Sequence, residues 1–141
     1  MVEVNSKIQK ENKTVVLVSP PSRMMNHYRP PLALMYISGY LKHKGIKTQI
    51  VDSIMESQTV RGESFFLNKK SFFNIVEDQT IQQISEIDTD IIGITCYTPE
   101  VDEVEQLAHR IKLVKPNAKI VAGGIHPDPF QNPENWKPDR A

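Results

Sequence analysis

Thr95-Cys96-Tyr97 and Gly123-Gly124 are the residues of this 141-residue chain whose types and spacing point to ligand chemistry. Each group closes an apolar run, Asp90-Ile-Ile-Gly-Ile94 before the first and Ala118-Lys-Ile-Val-Ala122 before the second, and His126 stands just beyond. A hydroxyl at a strand end either satisfies a local amide or touches a ligand. Two consecutive glycines either make a tight turn at positive φ or leave bare main chain against which a large flat ligand can lie. Cys96 is the one cysteine, so an internal disulfide and any all-cysteine zinc or iron–sulfur site within the chain are excluded. No cationic neighbour is evident to lower its pKa, and it reads as inert.

The runs that carry these residues must be strands. Ile91, Ile92 and Ile94, and later Ile120 and Val121, are continuous rather than alternating apolar positions, as in strands covered on both faces in the middle of a parallel sheet. Ligands of such sheets lie beyond the carboxyl ends of the central strands, so Thr95 to Thr98 and Gly123 to His126 are expected to face one pocket.

The rest of the chain supplies the sheet. Residues 1–12 read as a polar lead-in, and Lys13 to Ser19 as a β-branched first strand stopped by Pro20-Pro21. A long polar loop follows, with Arg23, Met24, Met25, Asn26, His27, Tyr28 and Arg29, too long for an ordinary connector of about two to six residues and suited to binding. Pro30-Pro31 opens a helix that runs to about Lys44 with Gly45 as its left-handed stop. Its apolar face is Leu32, Leu34, Met35, Ile37 and Leu41, with Ser38 and Gly39 allowing close approach to the sheet. A second strand spans 47–51, and an irregular connection with no assigned function spans 53–70. Phe72, Ile75, Val76, Ile81, Ile84 and Ile87 mark a helix over 71–87. The next helix has Thr98 as cap, Pro99 at its first position, early acids, late lysines, and a stripe of Val101, Val104, Leu107, Ala108, Ile111 and Val114. The pattern β-α-β-α-β-α-β predicts a doubly wound parallel α/β sheet of order 2-1-3-4, with a fifth strand missing from the proline-rich tail at 128–141.

Composition narrows the partners. Lys plus Arg and Asp plus Glu number 17 each, so no bulk field argues for nucleic acid or a membrane surface. No apolar run reaches spanning length and the first residues lack a secretory core, which points to a cytoplasmic setting. The dinucleotide fingerprint and the Walker sequence are absent, and Pro20 and Pro21 remove amides that a pyrophosphate would need. A phosphoacceptor domain would need acids where Ser19 and Thr95-Cys96 stand.

Taken together, Thr95-Cys96-Tyr97 and Gly123-Gly124 are similar to the Ser-x-Leu and Gly-Gly elements of cobalamin-binding domains. Ser19-Pro20-Pro21, the run from Arg29-Pro30-Pro31 through Tyr36-Ile37-Ser38-Gly39-Tyr40-Leu41, Gly45, Val51-Asp52, and Asp90-Ile91-Ile92-Gly93-Ile94-Thr95 with Gly123-Gly124-Ile125-His126-Pro127 resemble the amino-terminal cobalamin-binding domain of radical S-adenosylmethionine enzymes. The resemblance implies a flavodoxin-like (Rossmann-like) domain over 13–127 that holds cobalamin through Ser19, Pro20, Pro21, Thr95, Cys96, Tyr97, Gly123, Gly124 and His126. The hydroxyl and the glycines would line the slot for the dimethylbenzimidazole tail in the base-off form. The Asp-x-His-x-x-Gly loop that brings histidine to cobalt in methionine-synthase-like domains is missing after the first strand, where Ser19 to Met24 stand, so no lower ligand comes from there.

The remaining loop residues keep two readings each. His126 and His27 are either hydrogen-bonding loop residues or groups that reach the corrinoid. Arg23 and Arg29 are either solvated or paired with a corrin amide or the nucleotide phosphate, and Met24-Met25 offers soft apolar contact. The implied partner is a radical S-adenosylmethionine domain, in cis or in trans. That domain would carry S-adenosylmethionine and a four-iron four-sulfur cluster and generate the substrate radical to which cobalt or its methyl group is presented. Corrinoid-free interaction modules and nucleotide-binding domains on the same fold are the alternatives.

Overall fold

The computed structural model describes residues 13–21, 30–53, 69–97 and 100–124. Four strands, β1 (Val15–Ser19), β2 (Thr48–Asp52), β3 (Ile91–Thr95) and β4 (Lys119–Gly123), alternate with three helices, α1 (Leu32–His43), α2 (Lys69–Glu86) and α3 (Val101–Val114). All strand pairs are parallel, in the expected order β2-β1-β3-β4. β1 and β3 occupy the centre. Among the described residues β4 is the edge strand rather than an interior one, and Val121 is 48% exposed on it.

Side chains alternate across the pleat, so register divides the sheet into two faces. One presents Val16, Val18, Val51, Ile92, Ile94 and Ile120 to α2 and α3, which close over it with Ile81, Ile84, Val104, Leu107, Ala108 and Ile111. The other presents Val15 and Leu17, with Leu34 of α1 and Ile46 packed upon them. α1 packs on β2 and β1, while on the same face Val121 of β4 stays open.

The helices bury narrower faces than their apolar content predicts. α1 buries Leu34 and Ser38, while Leu32, Met35 and Ile37 are exposed along with Tyr36 and Tyr40. Only a row spaced by about one turn can meet a flat sheet, and here a serine takes part in it because its hydroxyl hydrogen-bonds that of Thr48. Gly39 faces open space rather than the sheet. Pro31 caps the helix instead of entering it, and Gly45, at φ 79°, ends it as expected. On α2 the buried phenylalanine is Phe73, and Ile75 is only partly buried; the side chain of Phe72 lies outside the described set. The Ser53 hydroxyl donates to Thr80 Oγ1 at 2.7 Å, because Thr80 in turn donates to the Val76 carbonyl at 2.9 Å. α3 starts at Val101 with Glu100 in the cap position; Thr98 and Pro99, expected to open the helix, lie outside the described residues. Val114, expected inside, is 44% exposed, since it follows the last turn that rests on the core.

Between α2 and α3 a carboxylate is buried where the sequence pattern showed no partner for it. Glu77 is 1% exposed; Gln106 Nε2 donates to both its oxygens at 3.1 Å and Arg110 Nη1 to Oε1 at 2.7 Å. The other Arg110 nitrogen reaches the exposed Asp78 at 2.7 Å. Hydrogen bonding to Glu77, more than to Asp78, raises the pKa of the guanidinium, so its charge is fixed at any working pH.

Candidate functional site

The carboxyl ends of β3 and β4 meet in register, Thr95 beside Gly123. Beyond them the Cys96 amide donates to the Gly123 carbonyl at 2.7 Å, carrying the ladder one step past the strands. The Glu100 amide then donates to the Tyr97 carbonyl at 2.8 Å, which turns the chain into α3. Main-chain bonds thus hold Cys96 to β4 and Tyr97 to the start of α3. That order follows from the sequence, because the apolar strands must pair fully before a polar segment can leave the sheet.

The two glycines differ. Among the described residues a Cβ on Gly123 would meet nothing within 4 Å, whereas one on Gly124 would lie 2.6 Å from the Cys96 carbonyl oxygen and 3.2 Å from its nitrogen. Gly124 also sits at φ 124°, while Gly123 is not among the positive-φ glycines. The positive φ of a tight turn is thus found at Gly124 and not at Gly123. Thr95 and Gly123 share the sheet face of Gly93 and Val121. On that face a Cβ on Gly93 would approach Leu17 Cδ2 to 3.1 Å. An isolated glycine within a strand is the signal that marks such close approach.

The other expected site residues divide by burial. Tyr97 is 44% exposed at the rim. Ser19, Pro20, Pro21 and Cys96 are buried. His126, His27, Arg23, Met24, Met25 and Arg29 lie outside the described residues. Among the described residues no group of three or more His, Cys, Asp or Glu side chains could hold a metal ion, and no helix is long and apolar enough to cross a membrane.

Cys96 carries a chemical consequence of its burial. Desolvation first, then the negative fields of Glu100 and Glu105, push its thiol from 9.0 up to about 11. Native Cys96 is thus expected to resist iodoacetamide at pH 8 and to react once the chain is unfolded. The unfolded thiol loses its proton at lower pH than the folded one, so this group makes stability fall as pH rises from about 9 to about 11 and adds no pH dependence below that window. Alkylation followed by mass spectrometry checks the first expectation, and thermal melts at pH 8 and 10.5 check the second; rapid native labelling at pH 8 contradicts both.

Comparison with known proteins bears on this rim. The family model described as the B12 binding domain matches residues 15–134. Among curated proteins, the anaerobic magnesium-protoporphyrin IX monomethyl ester cyclase of Rubrivivax gelatinosus is 30% identical over 97 residues, which cover 69% of this chain and 15% of that protein. The chain thus spans a small part of the length of that relative. No solved structure matches it.

Proposed function

This chain belongs to the B12-binding domain family, and we propose that it holds cobalamin in the base-off form at the rim beyond β3 and β4 and presents it to a radical S-adenosylmethionine domain. The observation that carries this reading is the open space over Gly123, directly beside the Thr95 position: a place where a side chain would fit and none stands. A flat base or a corrin amide can approach main chain there, and Thr95 can hydrogen-bond it. Tyr97, exposed at the same rim, offers an aromatic face.

When bound, cobalamin supplies the transfer of a methyl group at cobalt. The chain's own residues bind and orient. Gly123 provides the floor, Thr95 and Tyr97 the walls, and buried Ser19, Pro20, Pro21 and Cys96 hold the strand ends beneath them. The radical S-adenosylmethionine partner, with its four-iron four-sulfur cluster, rests on the resemblance of the Arg29 to Leu41 run and of the two loop motifs to such enzymes.

The test is direct: mix the purified chain with hydroxocobalamin, desalt, and record the spectrum. Retained corrinoid with base-off absorption is expected. A colourless protein fraction defeats the proposal and leaves the interaction-module reading, while thermal stabilisation by a dinucleotide but not by cobalamin selects the nucleotide-binding one.

A further inference from the structure

We infer that Gly124 is a positioning residue, which sets the width of the slot by holding the end of β4 close against the Cys96 main chain before any ligand arrives, and leaves ligand contact to Gly123. The inference rests on the corrinoid reading above and deepens it.

Three observations converge on the lock. The Gly124 α-carbon faces the Cys96 backbone so closely that a methyl group would lie 2.6 Å from the carbonyl oxygen. Main-chain atoms cannot swing aside as the end of a flexible side chain can, so relief requires the two loops to part. The φ of 124° lies where a side chain is strained whatever the space around it. Finally, the 2.7 Å bond from the Cys96 amide to the Gly123 carbonyl is one residue away and would lengthen as the loops separate.

Parting the loops moves Gly123 away from Thr95 and Tyr97, which the Cys96 backbone connects. Gly124 therefore acts through Cys96 on the distance between floor and walls. A slot of fixed width discriminates by what it admits, so Gly124 should govern the preference for corrinoids that carry the nucleotide tail.

The experiment compares hydroxocobalamin with cobinamide, which has the corrin and lacks the tail, on the wild-type chain and on Gly124→Ala. Wild type is expected to prefer cobalamin. In Gly124→Ala the cobalamin affinity should fall at least about tenfold, a loss of one contact's order, while cobinamide binds as before, so that the preference collapses. A purely structural defect would lower both affinities together, and that result overturns the inference, as does an unchanged preference.

Hydrogen exchange on the ligand-free wild type gives a second reading that does not depend on the variant folding. The Cys96 amide should already be protected. Exchange at the rate of an open loop, with protection appearing only when cobalamin is added, overturns a preformed lock. Wild-type chain that retains no corrinoid at all refutes the cobalamin reading itself, which is distinguishable from either result.

Discussion

Gly123→Val is expected to lose corrinoid at the desalting step while its far-UV spectrum and melting temperature stay close to those of the parent. The new side chain would enter space in which a Cβ meets nothing within 4 Å, at a residue whose φ is not positive. Valine suits a strand end, so the folded state gains or loses only tenths of a kcal/mol, at most about 1. The same isopropyl group occupies the floor of the slot beside Thr95. Displacing a ligand from that contact should weaken binding by roughly 100-fold, equivalent to about 2.8 kcal/mol. Gly124→Val differs in kind, since its side chain would strike the Cys96 backbone and lower stability as well as binding. A Gly123→Val protein that elutes with a full complement of corrinoid would remove the floor from the site.

The second large effect is expected in stability. Arg110→Ala removes the cation from Glu77, which is 1% exposed and keeps Gln106 as its remaining partner. A buried carboxylate left without its ion pair costs about 3 kcal/mol, a fall in Tm on the order of 10 °C for a domain of this size. Asp78→Asn, by contrast, should cost less than about 0.5 kcal/mol, because that carboxylate is 66% exposed and solvent screens it. Replacing both members, in Glu77→Leu with Arg110→Leu, should recover most of the loss, since neither charge then remains in the interior. Chemical denaturation of the three variants beside the parent measures these differences. If Arg110→Ala unfolds at the parental midpoint, the α2–α3 network is an ornament of the surface and not part of what holds the helices together.

Much of the architecture was legible before any coordinates, for reasons that differ element by element. β1 and β3 announced themselves because strands covered on both faces are apolar without interruption, and the four-strand order followed from alternating strands and helices with right-handed crossovers. α3 was legible through its spaced stripe, and Val104, Leu107, Ala108 and Ile111 are buried as the period requires. α1 was legible as a helix but not in its orientation. With apolar residues on every side, nothing in its sequence distinguishes Leu34, which is buried, from Leu32, Met35 and Ile37, which are exposed. β4 misled in the same way: an apolar run identifies a strand, and only its neighbours decide whether both faces are covered.

The residue types at the site belong to the sequence: a hydroxyl, an aromatic ring and two glycines at the ends of consecutive parallel strands are determined by order along the chain and by the rule that such ends converge. Which glycine is crowded by another segment was decided by tertiary contact, because the distinction lies in how closely Gly124 faces a main chain 28 residues earlier, at Cys96, where a Cβ would come within 2.6 Å. The partners of Glu77 were hidden for the same reason, since its bonds cross from one helix to another. Local chemistry and periodicity are written along the chain, whereas distances between segments exist only after the chain has folded.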